Sequence, residues 1–150
     1  MTTIAYANGI MAGDKQANIG DNGKHGRVTK VFKINGCLIG FSGHSDVAMA
    51  LLRWFSGGCK DEDWPELQYE NRDCAMLVVE ESGVVKMYER YPIPIVMEHK
   101  FHAIGSGRDF AMAAMHLGHD PIKAVEVACE LDAYTGGGID VVFLKDPPKH

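Results

Sequence analysis

The chain has 150 residues and a mass of 16.4 kDa, which is enough to bury a hydrophobic core and predicts a single domain over 1–150. Its hydrophobic content of 46% and charged content of 23% are those of a globular protein, and the net charge of -5 excludes the basic excess of a nucleic-acid-binding protein. No segment reaches the ~20 apolar residues of a membrane helix, and none resembles a secretory signal, so we expect a cytoplasmic protein with no membrane partner.

The first predicted element is a hairpin. Asn8-Gly9 is a strong signal for a two-residue type I′ turn, because that turn needs positive φ at both central positions. Counting back from the turn, the register pairs Thr3 with Asp14. Asp14 then lies within about 7 to 8 Å of Thr2, as a diagonal neighbour across the ladder.

A second hairpin is expected after a turn. Residues 15–24 are polar and rich in glycine, which favours an irregular connection. An alternating strand over 27–33, a tight turn at Asn35-Gly36 and an apolar strand over 37–41 follow. The continuous apolar strand indicates a sheet that is buried on both faces.

The first helix is predicted to begin with Ser45 or Asp46 as its cap and to end at Gly57. Its inward face is expected to hold Val47, Ala48, Leu51, Leu52 and Phe55. The acidic segment 60–65 reads as irregular, and residues 66–72 have room for at most two helical turns.

The second half of the chain begins with two more strands, over 74–79 and 84–88, joined by a turn at 81–83. The two prolines within 91–94 exclude the middle of a sheet, so we expect an edge or connecting segment there. A further strand over 101–104 leads to the next helix.

Two helices and a final strand complete the predicted elements. The first of these helices is expected to bury Phe110, Ala113, Ala114 and Leu117. The second begins at Asp120-Pro121, with the aspartate as cap and the proline in the first turn. Its predicted buried face holds Ile122, Val125, Ala128, Cys129 and Leu131. The final strand covers 139–144.

A metal site near the end of the chain is the alternative use of His116, His119 and Asp120. A structural zinc site requires four ligands, and the cysteines of this chain are not spaced to supply them: Cys37, Cys59, Cys74 and Cys129. We therefore predict no metal, no other cofactor, and four reduced thiols.

The N-terminus suggests a catalytic unit. Once Met1 is removed, Thr2 carries a hydroxyl nucleophile and a free amine on the same residue. An α-amino group has a pKa near ~7.7 to 8.0, so it can act as the base that a threonine hydroxyl needs near neutral pH.

Six segments occur around this threonine in a recognisable order and spacing: Thr2-Thr3-Ile4, Gly13-Asp14, Lys30-Val31, Gly40-Phe41-Ser42-Gly43, Gly105-Ser106-Gly107 and Asp132-Ala133-Tyr134-Thr135-Gly136-Gly137. Together they resemble the proteasome β-subunits and the HslV peptidase, over nearly the whole chain. The resemblance implies the α+β fold of the N-terminal nucleophile hydrolases, a four-layer αββα sandwich of two antiparallel sheets between helices.

The resemblance also implies roles for individual residues. Lys30 would lower the pKa of the Thr2 hydroxyl, and Asp14 would hold that lysine in place. On the bare sequence, a lysine in a strand is more often a solvated surface residue. The Gly43 N–H would bind the oxyanion, a contact worth roughly 3 to 4 kcal/mol in the transition state, although a glycine also suits a tight strand-to-helix turn.

Three further residues would orient the Thr2 amine by hydrogen bonding: Ser106, Asp132 and Thr135. Ser106 could instead cap a helix. Asp132 and Thr135 could instead belong to an ordinary helix C-terminus that is followed by Gly136. An aspartate at the C-terminal end of a helix interacts unfavourably with the helix dipole. The presence of Asp132 there therefore favours a functional role for it. Val28, Phe41 and Met49 are the residues that the resemblance places in a side-chain pocket for apolar groups.

The function implied is that of a threonine peptidase which cleaves polypeptides, within a homo-oligomeric ring and with an ATP-dependent unfoldase as a further partner. The region 57–73 departs from the family, because it is too short for the long second helix through which relatives pack their subunits. Two alternatives stay open. A retained Met1 would block the amine and leave an inactive scaffold subunit, or the same nucleophile could act on a small amide substrate.

Overall fold

The computed structural model describes residues 2–19, 24–66 and 74–147. Its strands are β1 (Ile4–Ala7), β2 (Ile10–Asp14), β3 (Gln16–Ile19), β4 (Lys24–Arg27), β5 (Val31–Ile34), β6 (Cys37–Ser42), β7 (Ala75–Val79), β8 (Val85–Tyr88), β9 (Ile95–Met97), β10 (Phe101–Ile104) and β11 (Ile139–Phe143). Its helices are α1 (Ser45–Ser56), α2 (Arg108–His116) and α3 (Pro121–Leu131), with a 3-10 turn at Asp61–Asp63. Within these ranges, no helix is long and apolar enough to cross a membrane.

The layers are the predicted ones. A four-stranded antiparallel sheet in the order β10-β1-β2-β11 stacks on a five-stranded antiparallel sheet in the order β5-β6-β7-β8-β9. Helix α1 packs on the outer face of the five-stranded sheet, and α2 and α3 pack on the outer face of the four-stranded sheet. Three buried apolar layers therefore separate four layers of secondary structure, which confirms the αββα fold.

The first hairpin has the predicted register. Asn8 and Gly9 have φ of 49° and 79°, as a type I′ turn requires, and the pairing of β1 with β2 ends where the Asp14 N–H donates to the Thr3 carbonyl oxygen over 3.1 Å. A Cβ at Gly40 would lie 2.6 Å from a methyl carbon of Ile4. The glycine thus lets the two sheets approach closely beside the start of β1.

The predicted turn over 15–24 was wrong in its extent. Gln16–Ile19 and Lys24–Arg27 pair as a separate two-stranded sheet, and residues 20–23 lie outside the described ranges. The glycine and asparagine signals fall on those residues, while the polar segments on either side of them pair with each other. The strand predicted over 27–33 consequently begins only at Val31.

Helix α1 confirms its predicted span but not its cap. His44 occupies the capping position and makes no side-chain hydrogen bond to the helix. Trp54, which the pattern missed, is buried, and Leu52 and Phe55 are only partly so. The reason is an aromatic cluster: the Trp54 ring packs edge-on against Trp64 at 4.7 Å and against Tyr88 at 5.3 Å.

Of the four residues predicted to form the buried face of α2, only Ala114 is buried. The inward residues of α2 are Ala111, Ala114 and Met115, while Phe110 is 38% exposed and Leu117 is 77% exposed. The facing sheet presents small side chains at Ala5, Ala7 and Ala12, so a helix face of small residues can pack closely against it.

Helix α3 begins as predicted, since the Asp120 side chain accepts the Lys123 N–H over 2.8 Å and Pro121 lies in the first turn. Val125 and Ala128 are buried as predicted, but Leu131 is 61% exposed. Residues 91–94 form the expected connection, and a short edge strand, β9, follows it. The prediction for 66–72 falls almost wholly on residues outside the described ranges.

Candidate active site

Thr2 lies two residues before the start of β1, and only 2% of its surface is exposed. Its N–H donates to Ser106 Oγ over 3.2 Å, and its carbonyl oxygen accepts the Gly107 N–H over 3.3 Å. Gly105 has φ of 99°, and a Cβ there would overlap the Thr2 carbonyl oxygen. The loop 105–107 therefore holds the backbone of Thr2 from one side, and only glycine permits the approach.

Asp14 lies at the end of β2 and has no exposed surface. Its Oδ1 accepts from Lys30 Nζ over 3.0 Å and from the Thr3 N–H over 2.9 Å. Its Oδ2 accepts from the N–H groups of Gly136 over 3.1 Å and Gln16 over 3.3 Å. Four donors around one carboxylate fix its position.

Lys30 is 8% exposed and precedes β5, where its carbonyl oxygen accepts the Phe41 N–H. Burial is the largest influence on its side chain and lowers the pKa of the ammonium below the ordinary value, while the attraction of Asp14 opposes that change. Lys30 and Thr2 line the same cavity. A buried cation therefore lies beside both Thr2 and Asp14.

Asp132 ends α3 and gathers a second network. Its Oδ2 accepts from Ser106 Oγ and from Thr135 Oγ1, each over 2.7 Å, and its Oδ1 accepts the Tyr134 N–H over 3.1 Å. Burial acts to raise the pKa of Asp132, but the hydroxyl donors from Thr135 and Ser106 outweigh it and hold the pKa below its ordinary value. Ser106 does not cap α2, because Gly107 occupies that position.

A cavity of about 340 Å³ opens beside Thr2. Its lining is mostly apolar and comprises Thr2, Val28, Thr29, Lys30, Phe32, Phe41, Gly43, Ser45, Ala48 and Met49. All three predicted pocket residues, Val28, Phe41 and Met49, belong to it. Gly43 also lines the cavity, with φ of 110° two residues before α1, in a conformation that glycine adopts most readily.

The structure brings all ten predicted site residues together. Six of them line the cavity: Thr2, Val28, Lys30, Phe41, Gly43 and Met49. The other four, Asp14, Ser106, Asp132 and Thr135, form the two hydrogen-bond networks around the backbone of Thr2 and Thr3.

Sequence reasoning missed Thr3 and the Gly136 N–H. Thr3 is fully buried, and its Oγ1 lies 2.8 Å from Thr135 Oγ1. A threonine next to Thr2 carries no local signal for such a contact, which joins residues 132 positions apart.

The histidines near the end of α2 take no part in this site. His116, His119 and Asp120 are exposed, and an Asp120 oxygen caps α3. Within 2–19, 24–66 and 74–147, no group of three or more His, Cys, Asp or Glu side chains is placed to hold a metal ion.

Known proteins resemble the chain in part of its sequence and in its fold. No protein-family model matches it. Proteasome subunit beta 1 of Hyperthermus butylicus is 31% identical over 78 aligned residues, which cover 45% of this chain and only 38% of that relative. HslV of Trypanosoma brucei is 20% identical, with a TM-score of 0.67 over 94% of this chain and 97% of HslV. BPH of Thiobacillus denitrificans is 17% identical, with a TM-score of 0.67 over 97% of this chain and 99% of BPH. The chain therefore has the αββα fold of HslV and BPH, together with partial sequence similarity to a proteasome β-subunit.

Proposed function

We propose that the protein is a threonine peptidase that hydrolyses peptide bonds through Thr2, after removal of Met1. The observation that carries the proposal is the position of Thr2. The Thr2 N–H donates to Ser106, and the N–H of the neighbouring Thr3 donates to Asp14 of the Asp14–Lys30 ion pair. Thr2 also lines an apolar cavity together with Gly43. A nucleophile, a base, a cation and an oxyanion donor are then available at one place.

In the proposed reaction, the free amine of Thr2 takes the proton of its own hydroxyl through a water molecule, and the Lys30 ammonium stabilises the developing alkoxide. The alkoxide attacks the peptide carbonyl carbon, and the Gly43 N–H donates to the oxyanion. The C–N bond of the substrate breaks as the α-ammonium group of Thr2 gives the proton that it took to the leaving amine of the substrate. A water molecule then hydrolyses the ester on Thr2.

The network around Asp132 supports the amine as base. Ser106 and Thr135 both donate hydrogen bonds to Asp132, so the Ser106 oxygen faces the Thr2 nitrogen as an acceptor. An amine that donates to Ser106 keeps its lone pair directed elsewhere, toward the hydroxyl proton that it must remove.

The substrate that we propose is a polypeptide with an apolar side chain before the cleaved bond, because the cavity beside Thr2 is lined by Val28, Phe41 and Met49. Assembly into a ring and feeding by an ATP-dependent unfoldase stay predictions from the family resemblance, as does a cytoplasmic location. The relative in Hyperthermus butylicus is itself a proteasome subunit.

The test is reaction with epoxomicin, an epoxyketone with which BPH has been solved in complex. An epoxyketone forms its adduct with a free amine and a hydroxyl on the same terminal residue. We expect an intact mass that lacks Met1, followed by one adduct per chain that maps to Thr2, and no adduct on Thr2→Ala. Retained Met1 with no adduct would contradict the proposal and favour the inactive scaffold. An adduct without cleavage of any peptide would favour a small amide substrate.

A further inference from the structure

The hydroxyl of Thr3 occupies a place built for it. The Thr3 side chain has no exposed surface, and Oγ1 lies 2.8 Å from Thr135 Oγ1. A Cβ at Gly107 would overlap Thr3 Oγ1 and would lie 3.1 Å from Thr135 Oγ1. The lack of a side chain at Gly107 therefore leaves the space that this pair of hydroxyls occupies.

The direction of the hydrogen bond between the two threonines follows from the proton count. A hydroxyl carries one proton, and an ionised carboxylate only accepts. Thr135 Oγ1 lies 2.7 Å from Asp132 Oδ2, so the Thr135 proton is directed to Asp132. Thr3 must then be the donor to Thr135.

The same count applies on the other side of Asp132. Ser106 Oγ lies 2.7 Å from Asp132 Oδ2 and donates a hydrogen bond to it. The Ser106 oxygen is then left to accept the Thr2 N–H over 3.2 Å. A directed chain of hydrogen bonds thus runs from Thr3 through Thr135 to Asp132, and Asp132 in turn orients Ser106 beneath the Thr2 nitrogen. Each bond polarises the next.

We propose that Thr3 is a positioning residue: through Thr135 and Asp132, its hydroxyl fixes Ser106 and so the amine of Thr2. This inference rests on the proposed peptidase function. The backbone of Thr3 acts on the other network, since its N–H donates to Asp14 Oδ1 over 2.9 Å. One residue therefore connects both carboxylates to the nucleophile beside it.

A purely structural role for Thr3 makes a different prediction. A buried hydroxyl that is merely satisfied would, on removal, cost folding stability and leave the titration of Asp132 unchanged. A positioning hydroxyl would change that titration. Without the Thr3 donor, the Thr135 hydroxyl is free to rotate away from Asp132, and the pKa of Asp132 should rise, since the Thr135 hydrogen bond helps to hold it low.

The experiment compares Thr3→Val, which keeps the shape and removes the hydroxyl, with Thr3→Ser, which keeps the donor. The pKa of Asp132 is measured by NMR from the chemical shift of its carboxyl carbon as the pH is varied. The rate of epoxomicin adduct formation is measured on the same variants. We expect Thr3→Val to raise the pKa of Asp132 and to slow adduct formation by roughly tenfold or more, because a misplaced amine reacts less often in the productive geometry. Thr3→Ser should restore both.

A double-mutant cycle with Thr135→Val tests whether Thr3 acts through Thr135. The combined variant should react no more slowly than Thr135→Val alone, because the second change has nothing left to remove. If Thr3→Val does not fold, Thr3→Cys, a weak donor of similar size, takes its place.

Unchanged titration and adduct rate in Thr3→Val, with a lower free energy of unfolding, would overturn the inference. The titration does not depend on catalysis. A wild-type protein that forms no adduct would therefore contradict the proposed function, while the titration of Asp132 with and without the Thr3 hydroxyl would still decide the role of Thr3.

Discussion

Lys30 Nζ lies 3.0 Å from Asp14 Oδ1, and the carboxylate of this ion pair is entirely buried. Solvent cannot screen such a pair, but burial still acts to lower the pKa of Lys30. The pair persists because Asp14 also accepts N–H groups from three other positions along the chain: Thr3, Gln16 and Gly136. Stability and the proposed chemistry therefore depend on the same two charges.

Removing one partner should be costly. Lys30→Met leaves Asp14 as a buried charge without its cation, and we expect the free energy of unfolding to fall by about 3 to 5 kcal/mol, with no epoxomicin adduct. Urea denaturation measures the first effect. Lys33→Met is the control, because that lysine is partly exposed and pairs with Asp146 at 3.8 Å, and it should change stability by less than about 1 kcal/mol. Equal losses in both variants would contradict the argument.

A methyl group at Gly105 should displace Thr2. Gly105→Ala combines a φ of 99° with overlap of the Thr2 carbonyl oxygen, whereas Gly118 has a φ of 96° and no atom within 4 Å of the position that a Cβ would take. Gly118→Ala should therefore cost only the left-handed backbone penalty of about 1 to 2 kcal/mol and keep full reactivity. Gly105→Ala should cost more than that and abolish the adduct. Urea denaturation and intact mass separate the two variants, and similar stabilities would show that loop 105–107 can move aside.

The elements that the sequence predicted well are those whose cause is local. Asn8-Gly9 determines the turn, the turn determines the register, and the register places Asp14 beside Thr3. The face of α2 was predicted wrongly because large apolar side chains suggested a core. Packing against the small residues of the four-stranded sheet instead buries Ala111 and Met115 beside the predicted Ala114.

The site divides in the same way. Residues within recognisable segments, such as Lys30 and Asp132, could be named from the family pattern. Thr3 could not, because its role depends on a contact with Thr135 that exists only after the whole chain has folded. The Gly136 N–H was missed for the same reason. Nearly every residue has a backbone N–H, so the residue type does not indicate which of them will bind a carboxylate.

The charge of Asp132 should make stability depend on pH in the acid range. Its folded pKa is lower than its ordinary value of 3.8, so the stabilisation is fully present above 3.8 and is lost as the pH falls through the folded value. We expect the difference in unfolding free energy between wild type and Asp132→Asn to be constant at higher pH and to change only below about pH 4. Urea denaturation between pH 2 and 7 measures it, and a difference that does not vary with pH would contradict the pKa assignment.

Cys74 should react only when the protein unfolds. The thiol is 9% exposed, and burial raises its pKa to about 11, so roughly 0.1% of it is thiolate at pH 8. Iodoacetamide should leave Cys74 unmodified in the native protein, and the labelling rate should rise with urea in parallel with unfolding. Peptide mass spectrometry follows each thiol separately. Native labelling of Cys74 as fast as that of the partly exposed Cys37 would show that the region opens locally.

The side chain at position 49 should set the charge preference of the cavity. Met49 lines the cavity and is 47% exposed, so a polar replacement is tolerated there without burying a charge. If the proposed function holds, Met49→Glu should lower kcat/KM for peptides with leucine before the cut and raise it for peptides with lysine, changing the ratio by about tenfold or more. Ser56→Glu adds the same charge at the far, exposed end of α1, away from the cavity lining, and should leave the ratio unchanged. The two variants share net charge and helix, so an equal change in both would show that this cavity does not receive the substrate side chain.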